Sequence, residues 1–237
     1  SSGVSFARCV KPGMDDLGDP DFRTIGAVAG DEACYDIFRE LFDPVIELWH
    51  GARGSDARHP TDLSLDQVSS TPIDPTGRYA LSARVRGGRS FRGVRFPPAC
   101  DHQERCKVEQ LVSKALASVQ DGDLRGEYFP LPGSRTFASK PQGMTKAEAA
   151  DLDRHRLLFE KPDSSEDLAA GLSRGWPQAR GVYATESRKL AVWCNEKEHL
   201  RVVSLEMGPD LAAAFARFVR TVNSIEASAK ESGHAYA

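Results

Sequence analysis

Five arginines, Arg84, Arg86, Arg89, Arg92 and Arg95, fall within the twelve residues RVRGGRSFRGVR. An arginine presents a planar fork of donors that matches phosphate oxygens. Two of them at period-two spacing on one strand project from the same face and can grip neighbouring phosphates. A nucleotide polyphosphate is one ligand for such a pair. A solvated sheet edge guarded by charge is the plainer reading. RNA binding is a weaker one, because the arginines sit in strand alternation with apolar neighbours and not in a disordered tract with stacking aromatics. The second group is Trp193-Cys194-Asn195-Glu196-Lys197-Glu198-His199-Leu200-Arg201, at the turn between two strand-like runs. Arg201 shares a strand face with His199, and carboxylates stand just before it. That arrangement can orient a cationic substrate beside an anionic one, although an ordinary polar hairpin turn accounts for the same residues. His155, His102 and Cys106 have no partner at ligand or triad spacing and read as ordinary surface or core residues.

The elements that must position these groups follow from composition and period. The chain has 237 residues, 40% hydrophobic and 27% charged, with 31 Lys+Arg against 34 Asp+Glu and a net charge of −3. This is a soluble globular composition, long enough for one large domain or two ordinary ones. No apolar run approaches the ~20 residues of a bilayer-spanning helix, so no membrane span is expected. The near-neutral balance gives no global reason to expect nucleic acid. Cys9, Cys34, Cys100, Cys106 and Cys194 include no CxxC pair and no zinc-ligand spacing, so reduced thiols in an intracellular compartment and no protein-ligated metal are expected. The first residues, Ser1-Ser2-Gly3, lack the basic and apolar regions of a signal peptide.

Residues 1–29 are rich in Gly, Pro and Asp and read as irregular loop. Ala33, Ile37, Phe38, Leu41 and Phe42 recur at helical spacing behind a capping Asp31, and Asp43-Pro44 is expected to break the run and start a second short helix. Residues 53–78 read as a linker, placing a boundary near 70. Tyr79 to Arg86 alternates as a strand. Asp101 with Glu104, and Thr145 with Glu148, are capping-box signatures, the first opening an amphipathic helix through Val119. Residues 181–185, 189–194 and 199–206 read as an antiparallel meander. Pro209 opens a final helix with the apolar stripe Leu211, Phe215, Phe218, Val219, Val222 and Ile225.

Together these segments resemble the phosphagen (guanidino) kinases, the creatine kinase and arginine kinase family, with a look closer to creatine kinase. The resemblance runs through AGDEACYDIFRELFDPVI (29–46), LSARVRGGRSFRG (81–93), FPPACDHQERCKVEQLV (96–112), LLFEKP (157–162), WPQARGVY (176–183) and LAVWCNEKEHLRVVSLEMG (190–208). It implies an α+β fold. A partial helical N-terminal domain over 1–70 is followed over 71–237 by an antiparallel sheet flanked by helices, the first half of the guanidino kinase catalytic domain. It implies reversible phosphoryl transfer between Mg-ATP and a guanidino compound, in which catalysis is mainly alignment and charge neutralisation. By the same resemblance Arg84, Arg86 and Arg201 match nucleotide-phosphate arginines, and Glu196 matches the first acid of the family's NEEDHLR motif. Phe22 and Ile25 fall in the guanidino specificity loop, Trp176 falls near the dimer contact, and Arg156 takes the place of a nucleotide-contacting histidine.

Lys197 stands where the motif has its second glutamate, the acid that would hold the guanidinium and assist its deprotonation. An ammonium there repels the cation and accepts no proton at neutral pH; at ~4 Å the swap is worth several kcal/mol even at an effective dielectric near 20. The family's remaining phosphate arginines, reactive cysteine and second catalytic glutamate would lie beyond Ala237. A bare sheet face and an unpaired edge are therefore expected. These departures favour a catalytically impaired member, a pseudoenzyme serving as a structural or accessory subunit. It would bind Mg-ATP or ADP at most through a residual phosphate site, and a homo-oligomer or larger assembly would cover the open edge. The alternative is an active ATP:guanidino phosphotransferase of which this is a part, with Glu198 or a downstream acid compensating for Lys197. Mitochondrial and cytosolic locations both fit the family.

Overall fold

The computed structural model describes residues 3–18, 21, 24–51, 61–69 and 71–237. Its centre is a five-stranded antiparallel sheet of β1 (Ser82–Arg89), β2 (Gly126–Pro130), β3 (Gly181–Thr185), β4 (Leu190–Cys194) and β5 (Leu200–Met207), in the order β1-β5-β4-β3-β2. The meander β3-β4-β5 is the one the strand-like runs and polar turns predict, and every residue of β3 and β4 is buried. Two apolar layers sandwich it. Tyr128, Tyr183, Val192, Leu200 and Val202 face α4 (His102–Ala117) and α7 (Leu211–Glu231), through Val108, Val112, Phe218, Val222 and Ile225. Phe129, Val182, Ala191, Trp193 and Val203 face the other way, against Met144, Leu152, Leu157 and Phe159. Leu152 belongs to α5 (Lys146–Arg154). The sheet face expected to be bare is thus covered. β1 pairs with β5 and has no second strand beside it among the described residues.

Both capping boxes form. The Asp101 carboxylate accepts from the Glu104 amide and Glu104 returns the bond to the Asp101 amide, and Thr145 and Glu148 do the same for α5. Each reciprocal pair satisfies two amide donors that a helix start leaves open. The final helix begins two residues later than Pro209 suggests, with Asp210 as its cap accepting from the Ala213 amide.

The N-terminal region departs from expectation in two places. Residues expected as loop contain α1 (Phe6–Asp15), capped by Ser5. Phe6, Cys9 and Val10 lie at helical spacing, and burial of Cys9 outweighs the internal Pro12. The expected break at Pro44 falls instead at Phe38, between α2 (Cys34–Ile37) and α3 (Arg39–His50). Pro44 lies within α3, where it removes one backbone donor while Phe42 anchors the helix beside Cys9 and Cys34. The N-cap of α2 is Ala33 and not the expected Asp31, which accepts from the Cys34 amide at 3.0 Å from the turn before it. A short helix, α6 (Ser165–Ala170), packs on α1. The strand predicted over 79–86 starts and ends three residues later. Residues 71–81 before it are irregular, and turn around Asp74, which accepts from Thr76, Tyr79 and Ala80. Among the described residues no helix is long and apolar enough to cross a membrane.

Candidate functional site

The period-two reading of the arginines holds in three dimensions. Cross-strand partners share a face of an antiparallel sheet. Arg84 pairs with Leu205, Arg86 with Val203 and Gly88 with Arg201, so Arg84, Arg86 and Arg201 project from the face that also carries Trp193. Arg84 donates to the Arg156 carbonyl at 3.4 Å. Burial lowers its pKa, and the charges of Arg86 and Arg156 lower it further. No described carboxylate pairs with Arg84 or Arg86, so this corner holds positive charge without internal compensation.

Arg201 is different, because its guanidinium is already engaged. Nε and Nη2 donate to the two Glu198 oxygens at 3.0 and 2.6 Å, and Nη1 lies 3.3 Å from Glu196. Burial pulls the Arg201 pKa down, but Glu198 and then Glu196 outweigh it and the net shift is upward. The fork is drawn against β1 because Gly88 carries no side chain. A Cβ there would lie 2.8 Å from the Glu198 carboxyl carbon. Glu196 is nearly buried, and burial raises its pKa, opposed by Arg201 and reinforced by Glu198.

Lys197 does not point unpaired into this acid turn. Its ammonium sits 2.8 Å from Asp167 Oδ1 and 2.9 Å from Oδ2, on α6. Sequence reasoning identified the lysine and missed its partner. Asp167 lies thirty residues away in a segment without strong period. The same helix meets the N-terminal loop, where the Ser165 hydroxyl donates to Asp16. Between them lies an open cleft of about 510 Å³, lined by Pro12, Asp16, Gly18, Thr24, Gly26 and Glu166 among others. Ile25 is half-buried between Thr24 and Gly26, while Phe22 lies outside the described residues. Loop, α6, acid turn and arginine face therefore stand in one connected series.

The backbone of the turn is held from below. Asn195 adopts the left-handed conformation, φ 57°, and donates to the carbonyls of Arg105 and Ala179. Buried Arg180 donates to the Asn195 carbonyl at 2.9 Å, and burial lowers its pKa to about 10. His199 belongs to this support and not to the ligand-facing group. It is fully buried, Nδ1 accepts from the Phe91 amide at 3.0 Å, and Nε2 donates to the Arg95 carbonyl at 2.9 Å. Burial lowers its pKa to about 4, so it is neutral. Trp176 is half-buried, edge-on to Phe159 and beneath Arg180.

Cys106 and His102 are not without partners. They sit one turn apart on α4 with Sγ and Nε2 separated by 3.6 Å. His155 likewise approaches the Asp151 carbonyl at 2.8 Å through Nδ1. The i, i+4 spacing on a capped helix is the signal that places the first pair.

The antiparallel sheet is thus backed by α4 and α7 and carries the arginines on one face with an acid turn beside them. The chain belongs to the ATP:guanido phosphotransferase family, whose C-terminal catalytic domain matches residues 107–234 and whose N-terminal domain matches residues 1–47. It is 40% identical over 237 residues to the B-type creatine kinase of Gallus gallus, covering all of this chain and 59% of that protein. It is 39% identical over 235 residues to the flagellar creatine kinase of Strongylocentrotus purpuratus, covering 99% of this chain and 19% of that protein. The solved structure of a lombricine kinase superposes with a TM-score of 0.88 at 35% identity, over 100% of this chain and 60% of that one. The substrate-free duplicated taurocyamine kinase of Schistosoma mansoni gives 0.83 at 28%, over 100% and 31%. The chain thus spans less than two thirds of the length of these relatives.

Proposed function

We propose that this chain is a catalytically impaired phosphagen-kinase-like protein that keeps a residual nucleotide-phosphate site and acts as a structural or accessory part of an assembly. The observation that carries the reading is Lys197, whose ammonium occupies the motif position of an acid and is fixed there by Asp167. Neutralised by its partner, it repels a guanidinium less than a free ammonium would, but it supplies neither attraction nor a proton acceptor. Arg84 and Arg86 fit the phosphates of Mg-ATP or ADP, being adjacent on one face and unpaired with described carboxylates. When bound, the magnesium ion would neutralise phosphate charge. Arg201 joins that grip only after Glu198 yields it.

The division at residue 70, cover of the β1 edge by a larger assembly or, once salt or a phosphate ligand screens its arginines, by a second copy, and a reducing intracellular location, mitochondrial or cytosolic, belong to the same reading. All five cysteines are free thiols, four of them buried. The test is a coupled assay of the 237-residue chain with Mg-ATP and creatine, arginine, lombricine or taurocyamine, run beside fluorescent-nucleotide binding. The expected result is nucleotide binding that Arg84→Ala/Arg86→Ala abolishes, without turnover. Measurable phosphoryl transfer overturns it.

The second reading is an active ATP:guanidino phosphotransferase. It is favoured by the survival of Glu196 and Glu198 beside Arg201, two carboxylates within reach of a cationic acceptor. It requires turnover that is lost on Glu196→Gln or Glu198→Gln.

A further inference from the structure

Four of the five cysteines are buried in the protein, and Cys106 is the one with solvent access. It lies on the outer face of α4, one turn after exposed His102, and Sγ and Nε2 are 3.6 Å apart. A tetrahedral zinc-type ion, with a metal–sulfur bond of ~2.3 Å and a metal–nitrogen bond of ~2.0–2.1 Å, needs its sulfur and nitrogen ligands about 3.6 Å apart. The side chains already hold that bite. The capped first turn of α4 fixes the backbone beneath both, so binding would freeze little further freedom.

We infer that His102 and Cys106 form a two-ligand surface site for a thiophilic divalent cation of the zinc and cadmium class. On binding, the metal takes the Cys106 sulfur as thiolate and the thiol proton passes to solvent. The neutral imidazole gives its Nε2 lone pair and keeps its proton on Nδ1, and water fills the two remaining positions. Among the described residues no third protein ligand joins them. Glu109, one turn further on, is buried and accepts from the Tyr128 hydroxyl at 3.0 Å. The described residues hold no group of three or more candidate ligands. The site is therefore labile and open, unlike a closed four-ligand structural zinc site. It stands apart from the arginine face and does not depend on any nucleotide or guanidino chemistry there.

The chelator-treated 237-residue chain, titrated with cadmium chloride, gives the direct readout, because the thiolate-to-cadmium charge-transfer band reports sulfur ligation. One equivalent should bind, the band should vanish in Cys106→Ser, and His102→Ala should weaken affinity by more than ~10-fold, the lower bound set by loss of even an outer partner. Both positions have solvent access, so the variants should keep the parent melting temperature. A band of equal size in Cys106→Ser would place the metal on a buried cysteine and overturn the inference. Unchanged affinity in His102→Ala would reduce it to a lone thiolate and overturn it equally.

Discussion

Two side chains in the acid turn are held by partners distant in the chain. Lys197 is bound to Asp167, so Lys197→Glu would bring two carboxylates together on α6. The expected outcome is no gain of phosphoryl transfer and a stability loss of about 1 kcal/mol, the scale of a solvent-accessible pair. The Lys197→Glu/Asp167→Asn double variant should recover most of it in a urea-unfolding cycle; additive losses would mean that the pair is not coupled. His199 gives a pH dependence. Unfolded, it takes up a proton near pH ~6.5, whereas the folded imidazole resists protonation down to about 4. The unfolded state therefore binds more protons between those values, and stability falls as pH falls through that window. The loss by pH 5 is about 2 kcal/mol, from 1.4 kcal/mol per unit. Burial raises the pKa of Glu109 and Glu196, which works in the opposite direction, so the diagnostic is a difference. Between pH 7 and pH 5 the parent should lose about 2 kcal/mol more than His199→Gln. Equal losses would remove His199 as the cause.

β1 shows how neighbouring glycines of one strand serve different purposes. A Cβ on Gly87 would sit 2.6 Å from the Phe218 ring of α7, inside the core, whereas one on Gly88 would meet the end of the flexible Glu198 side chain. Gly87→Ala is accordingly expected to cost ~1–3 kcal/mol through overpacking, and Gly88→Ala well under ~1 kcal/mol because the carboxylate can swing aside. Equal denaturation midpoints for the two variants would contradict that assignment. The elements legible in the sequence were those with strong local grammar. The capping boxes at Asp101 and Thr145 and the meander of strand-like runs and polar turns needed only short-range information. The face shared by Arg84 and Arg86 followed from the period of two, whereas Arg201 joins it through the register of β1 with β5. What stayed hidden depends on distance in the chain. α1 forms despite Pro12 and Gly13 because Cys9 packs with Cys34 and Phe42, and α6 shows its purpose only when Lys197 and Asp16 close on it. The His102–Cys106 pair was missed, although its spacing is a helical turn on a helix already recognised.

On the scale of the whole molecule, both faces of the sheet are covered, and its two edges are β1 and β2, each with a strand on one side only among the described residues; β1 is the edge that carries the arginines. An unpaired edge is a template for association, and charge along it is a common way to block the wrong partner. β1 carries Arg84, Arg86 and Arg89, so two copies meeting edge to edge would bring like charges together. A partner strand with acidic side chains, or a phosphate ligand, would remove that repulsion. The arginines thus have two consequences that a single variant can separate from each other. Arg84→Ser/Arg86→Ser should abolish nucleotide binding and, by removing the repulsion, shift sedimentation from the 25.9 kDa chain toward dimers or larger species at low salt. The parent should make the same shift only as added salt screens the edge. Loss of nucleotide binding with unchanged sedimentation at every salt concentration would leave the phosphate site standing and dismiss the arginines as guards of the edge.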